Sequence, residues 1–105
     1  MKFSDRKTKN LINAILALDT KDEARRFLRD LLTEKEIEEF SNRWEAAKML
    51  NDKTPYSVIE KQTKLSSTTI SRISKWLNSG MGGYKLMIDK SNHHHNSIPV
   101  GKGLR

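Results

Sequence analysis

The densest run of chemistry-bearing residues in this 105-residue chain is TPYSVIEKQTKLSSTTISRISKWL, Thr54 to Leu77. Ser66, Ser67, Thr68, Thr69 and Ser71 supply short hydroxyls, and Lys61, Arg72 and Lys75 supply positive charge. Short hydroxyls let a helix backbone approach base edges and phosphates closely. Exposed N–H groups and the dipole at a helix N-terminus favour an anion. Arginine is the usual bidentate reader of guanine O6 and N7. A helix capped by Ser66 would show Ser67, Thr68 and Ser71 near its start, with Arg72 and Lys75 further along. These residues are the candidate contacts to double-stranded DNA: Lys61, Ser66, Ser67, Thr68, Thr69, Ser71, Arg72 and Lys75. The competing reading is a plain helical hairpin whose polar residues face solvent. A turn of about three residues, an apolar plug at Leu65, a serine cap and a basic surrounding segment together favour the nucleic-acid reading.

Other motifs carry less. His93, His94 and His95 could offer imidazoles to a divalent metal, but adjacent histidines in a polar tail lack the outer shell that fixes a site, so no metal is expected. Gly80 to Gly83 lacks the following Lys-Ser/Thr of a phosphate loop, and neither a Ser/His/Asp set nor HExxH occurs. Glu34, Glu36, Glu38 and Glu39 form a solvated first turn, where negative charge is favourable. The chain is not expected to be an enzyme or to need a cofactor.

Capping signals and apolar spacing predict the elements that hold these residues. One helix covers Arg6 to Leu18, with Leu11, Ile12, Ile15 and Leu16 on one face. Thr20 and Thr33, each followed three residues later by Glu, start two more helices. The third, about Glu34 to Leu50, carries a broad stripe through Ile37, Phe40, Trp44, Ala47 and Leu50, widened by Ala46 and Met49. Thr54 is expected to cap a short helix with Pro55 at its first position. Val58 and Ile59 would point inward from that helix, against Ile70, Ile73 and Leu77 of the helix that follows. Many such turns carry glycine where Lys64 stands, because the position tends toward positive φ. Ser79 to Gly83 ends the second of these helices, Tyr84 to Asp89 form a last short one, and an aperiodic tail follows. The domain is therefore placed at residues 1–91, with a helix-turn-helix at about 54–78 and a flexible tail at 92–105.

Composition agrees with a small helical binder. The formal charge is +7, divided as +2 for residues 1–19, −1 for 20–53 and +6 for 54–105. The positive excess thus falls on the helix-turn-helix half, as expected of a polyanion partner. Absence of cysteine excludes disulfides and thiolate metal sites. No stretch approaches the roughly 20 apolar residues of a membrane span, so no membrane partner and a cytoplasmic location are expected. A hydrophobic fraction of 35% is modest, and the broad third stripe calls for a second copy of the chain to cover it.

From Ala24 to Asp89, notably LLTEKEIEEFSNRWEAAKMLNDKTPYSVIEKQTKLSSTTISRISKWLNSGMGGYKLMID, the sequence resembles the Trp-repressor superfamily and its Trp-repressor-like YerC/YecD branch. The resemblance implies an all-α, intertwined helical homodimer whose two helix-turn-helix units face a palindromic operator, and hence a transcriptional regulator, in the first instance a repressor. A helical protein-interaction adaptor, or an RNA-binding module on the same fold, is the alternative. Arg43 and Arg72 align with the two arginines of the family's tryptophan pocket. Ile73 stands at a pocket position that is glycine in the Trp repressor, and Trp76 at one that is serine. Tryptophan is therefore not expected as corepressor. An unknown small-molecule effector held by Arg43 and Arg72 stays open, beside the favoured alternatives of pairing with Glu39 or Glu60 or touching phosphate.

Overall fold

The computed structural model describes residues 2–96, with side chains through Asn92. Among the described residues it is all-helical: α1 Arg6–Leu16, α2 Lys21–Leu31, α3 Glu34–Asn51, α4 Tyr56–Thr63, α5 Ser67–Ser79 and α6 Gly83–Asn96. The chain divides into two compact units at Glu38 and Glu39, inside the continuous helix α3.

The first unit, Met1–Glu38, is organised by its caps rather than by burial. Thr20 Oγ1 accepts from Glu23 N at 3.1 Å, and the Glu23 carboxylate accepts from Asp19 N at 2.9 Å. Thr33 and Glu36 make the reciprocal pair at the start of α3, at 3.1 and 2.9 Å. The predicted capping box is therefore complete at α3, whereas at α2 the Thr20 cap is made but the Glu23 carboxylate reaches Asp19 N one residue earlier instead of Thr20 N. Neither α1 nor α2 contains a fully buried residue. The stripe Leu11, Ile12, Ile15 and Leu16 lies on α1 as expected, yet all four side chains are exposed, as are Leu28 and Leu31 on α2.

The second unit builds the core. Ala46 and Ala47 of α3, Ile59 of α4, Ile70, Ile73 and Leu77 of α5 and Ile88 of α6 are buried together. Trp44, Met49, Leu50, Leu65 and Tyr84 pack around them. The two alanines are the fully buried residues of α3, where the sequence stripe suggested Phe40 as an inward residue. Phe40 instead remains 48% exposed. Trp44 stacks on Tyr84 of α6 with ring centroids 6.4 Å apart, and Lys48 Nζ lies 5.7 Å from the Trp44 ring.

Three local expectations are corrected. Pro55 itself is the N-cap of α4 in extended conformation (φ −61°, ψ 146°), and no side chain caps that helix, so Thr54 is not its cap. The Thr54 N–H instead turns back toward the end of α3 and donates to Met49 O at 2.9 Å. Val58 does not join the core: it is 38% exposed, and the inward residues of α4 are Ile59 and Thr63 at i, i+4 spacing. Finally, α6 does not stop at Asp89 but runs to Asn96, through the first residues assigned to the tail. Lys90 to Asn96 contain neither glycine nor proline, and the buried Ile88 anchors the helix just before them. The remainder of the expected tail, residues 97–105, lies outside the described residues.

Candidate nucleic-acid interface

The candidate contacts sit on α4, the three residues Lys64, Leu65 and Ser66, and α5. Ile59, Ile70 and Ile73 are fully buried and bind the two helices together, while half-buried Leu65 packs against the same core. Burial on that scale, about 1.5–3 kcal/mol for each large aliphatic side chain, fixes which face of α5 is left outward.

The turn is held by its own polar residues. Lys64 takes the left-handed conformation (φ 62°, ψ 13°) and donates its N–H to Glu60 O at 2.9 Å, closing α4. The positive φ inferred for this position is thus present, on a lysine. Buried Thr63 donates its hydroxyl to Ile59 O at 2.7 Å, and the same oxygen accepts from Leu65 N at 3.3 Å. Thr63 was not singled out from the sequence; its place four residues after Ile59 and just before the apolar Leu65 was the available signal. Ser66 Oγ then accepts from Thr69 N at 3.1 Å and lies 3.1 Å from Thr69 Oγ1, so the predicted cap of α5 is made.

With the inward face settled, Ser67, Thr68, Ser71, Arg72 and Lys75 are all exposed on α5, as are Ser66 and, on α4, Lys61. Thr69 is half-buried and occupied by the Ser66 cap, which makes it a positioning residue more than a contact. The exposed row contains hydroxyls and cations and no carboxylate. Among the described residues, Lys61, Arg72 and Lys75 make no ion pair, so their charge is available to an anion.

Arg43 behaves differently. Its guanidinium binds Glu39 on the same helix through Nε at 3.2 Å and Nη2 at 3.0 Å, which is the pairing alternative drawn from the sequence. Ile73, beside Arg72, is completely buried in the core. Trp76 is 44% exposed and lines an apolar cleft of about 470 Å³ with Trp44, Tyr84, Met81 and Met87; neither Arg43 nor Arg72 lines it. Among the described residues no group of three or more His, Asp or Glu side chains is arranged for a metal, and the His93–His95 side chains lie outside the description. No helix of the described residues is long and apolar enough to cross a membrane.

The geometry has counterparts in known proteins. Residues 6–92 match the family described as Trp repressor protein. YerC of Bacillus subtilis is 37% identical over 89 residues, covering 85% of this chain and 86% of YerC. The crystal structure of a TrpR-like protein from Eubacterium eligens superposes with a TM-score of 0.82 at 37% identity, over 86% of this chain and 93% of that one. A candidate Trp repressor from Staphylococcus aureus gives 0.80 at 33% identity, over 88% and 95% of the two chains.

Proposed function

This chain belongs to the Trp repressor family of DNA-binding regulators, and from that premise we propose that it is a sequence-specific repressor, acting as a homodimer and laying α5 in the major groove. The observation that carries the reading is the row Ser67, Thr68, Ser71, Arg72 and Lys75, exposed and free of carboxylates on a helix whose opposite face is locked by Ile70, Ile73 and Leu77. Ser67, Thr68 and Ser71 read base edges with Arg72, while Lys61 and Lys75 neutralise backbone phosphate. Ser66 and Thr69 serve by fixing the start of the helix.

Dimerisation is supported by what each unit leaves uncovered. Leu11, Ile12, Ile15, Leu16, Leu28 and Leu31 in the first unit are exposed, and Phe40, Leu86 and Met87 in the second are about half exposed. Apolar surface of that extent on a small chain calls for a partner surface. Arg43 is assigned a structural role through Glu39, and Arg72 a role at the DNA. Tryptophan is not the effector in this reading, since Ile73 fills its own site in the core.

Selection of bound genomic fragments, followed by gel shifts across a salt series, tests the proposal. Specific duplexes should be retained with a steep salt dependence. Equal affinity for all duplexes, or binding to a protein or RNA partner alone, would refute it.

A further inference from the structure

A second polar site lies on the same unit, beside the C-terminal half of the exposed face of α5. A cleft of about 290 Å³ is lined by Lys53 and Thr54 before α4, Tyr56 at its first turn, Ser74 and Asn78 on α5, and Lys85 on α6. Its volume is at the lower edge of the range for small-molecule sites, enough for a compact group and too small for a nucleotide. Two lysines from separate elements converge there, and no carboxylate lines the cleft. Among the described residues neither Lys53 nor Lys85 makes an ion pair, although Asp52 and Asp89 are close in sequence. Two cationic side chains lining one cleft without a carboxylate give it a positive potential that favours an anion.

Lys53 is held at φ 65°, in the left-handed region that asparagine or glycine would occupy at less cost. No side chain caps the first turn of α4; Val58 and Ile59 donate their N–H groups to Pro55 O at 3.1 and 3.2 Å, which leaves those of Tyr56 and Ser57 to solvent or to a ligand. The hydroxyls of Thr54, Tyr56 and Ser74 add hydrogen-bonding capacity of the kind a phosphate oxygen takes, beside Asn78, whose Nδ2 donates to Ser74 O at 2.9 Å.

We propose that this cleft is a phosphate-group site, held by Lys53 and Lys85, which ties α4, α5 and α6 to one anion. The group can come from a DNA backbone flanking the base-reading helix or from a small phosphorylated molecule. Either source, touching both α4 and α5, would be coupled to the setting of the reading helix.

The test is a titration of the isotopically labelled full chain with sodium pyrophosphate at constant ionic strength, read by amide chemical shifts. In parallel, a random-sequence duplex is bound across a salt series. Lys53→Asn keeps a residue that accepts positive φ, Lys85→Gln removes the second charge, and Lys85→Arg restores it; melting curves confirm that each variant folds. Saturable shifts confined to Lys53, Thr54, Tyr56, Ser74, Asn78 and Lys85, weakened at least about fivefold in Lys53→Asn and Lys85→Gln and rescued by Lys85→Arg, establish a site for a free anion. If pyrophosphate leaves these amides unmoved but Lys85→Gln flattens the duplex salt slope by about one unit, the site holds a DNA phosphate. The proposal is overturned if pyrophosphate gives no saturable shift at these residues, whether it moves nothing or moves lysines across the whole chain alike, and the duplex slope is the same in all variants. The base-reading role of α5 is tested separately, by site discrimination in Ser71→Ala, so either idea can fail alone.

Discussion

Lys64 and Ser71 lie seven positions apart and do opposite work, one bending the chain and the other facing outward from it. Lys64 is a left-handed lysine whose side chain is exposed, so its identity is unrelated to packing. Lys64→Gly should raise stability by about 0.5–1 kcal/mol, because relief of the left-handed strain outweighs the entropy that glycine adds to the unfolded chain. Chemical denaturation giving a lower midpoint for the variant would contradict this. At the reading face, Thr68→Ala and Ser71→Ala should reduce discrimination between sites by about 1–3 kcal/mol, while Lys61→Ala should weaken all duplexes alike and flatten the salt slope by about one unit. Competition gel shifts on selected and scrambled sites separate the two patterns, and equal losses in all three variants would remove the division between reading and positioning.

At the scale of elements, the setting of α5 depends on its two ends. Ser66 caps the first turn through Thr69 N, and Ser66→Ala should cost about 1 kcal/mol of stability, with a matching fall in Tm. The other end is closed by Gly80, whose N–H donates to Trp76 O at 3.0 Å. A Cβ there would sit 2.5 Å from that same carbonyl oxygen, so the backbone must move to admit any other residue. Gly80→Ala should therefore destabilise by about 1–3 kcal/mol, more than the cap deletion at the opposite end. A Gly80→Ala protein with unchanged melting would show that the turn into α6 yields freely. Among the ion pairs, Arg25 and Arg26 with Asp22 and Arg29 with Glu34 are solvent-exposed, and their loss should matter little beside either terminus.

For the whole molecule, the two units divide the work: residues 39–96 hold the described core, and Met1–Glu38 presents apolar side chains with no fully buried helix residue. A dimer is expected at micromolar concentration by light scattering, and a folded monomer there would contradict it. Tryptophan should alter neither Tm nor duplex affinity. Ile73→Gly should lose at least the roughly 2–5 kcal/mol typical of truncating a buried isoleucine before any indole is accommodated. Calorimetry showing micromolar tryptophan binding to the unmutated chain would overturn the assignment of Ile73 to the core.

Much of this was open to a reader of the sequence because it is local. The capping pairs Thr20 with Glu23 and Thr33 with Glu36, the Ser66 cap, the positive φ at Lys64 and the inward set Ile70, Ile73 and Leu77 depend on residues within a few positions of one another. The family resemblance likewise follows from an ordered string of residues. Tertiary structure decided what depends on a neighbour. Ala46 and Ala47 rather than Phe40 are the fully buried residues of α3, packed into the cluster of Ile59, Ile70, Ile73, Leu77 and Ile88 that comes from later in the chain. Val58 turned outward when Ile59 and Thr63 took the core face of α4, and α6 ran on to Asn96 once Ile88 was anchored. The convergence of Lys53 and Lys85 on one cleft joins residues 32 positions apart, and no spacing rule along the chain relates them.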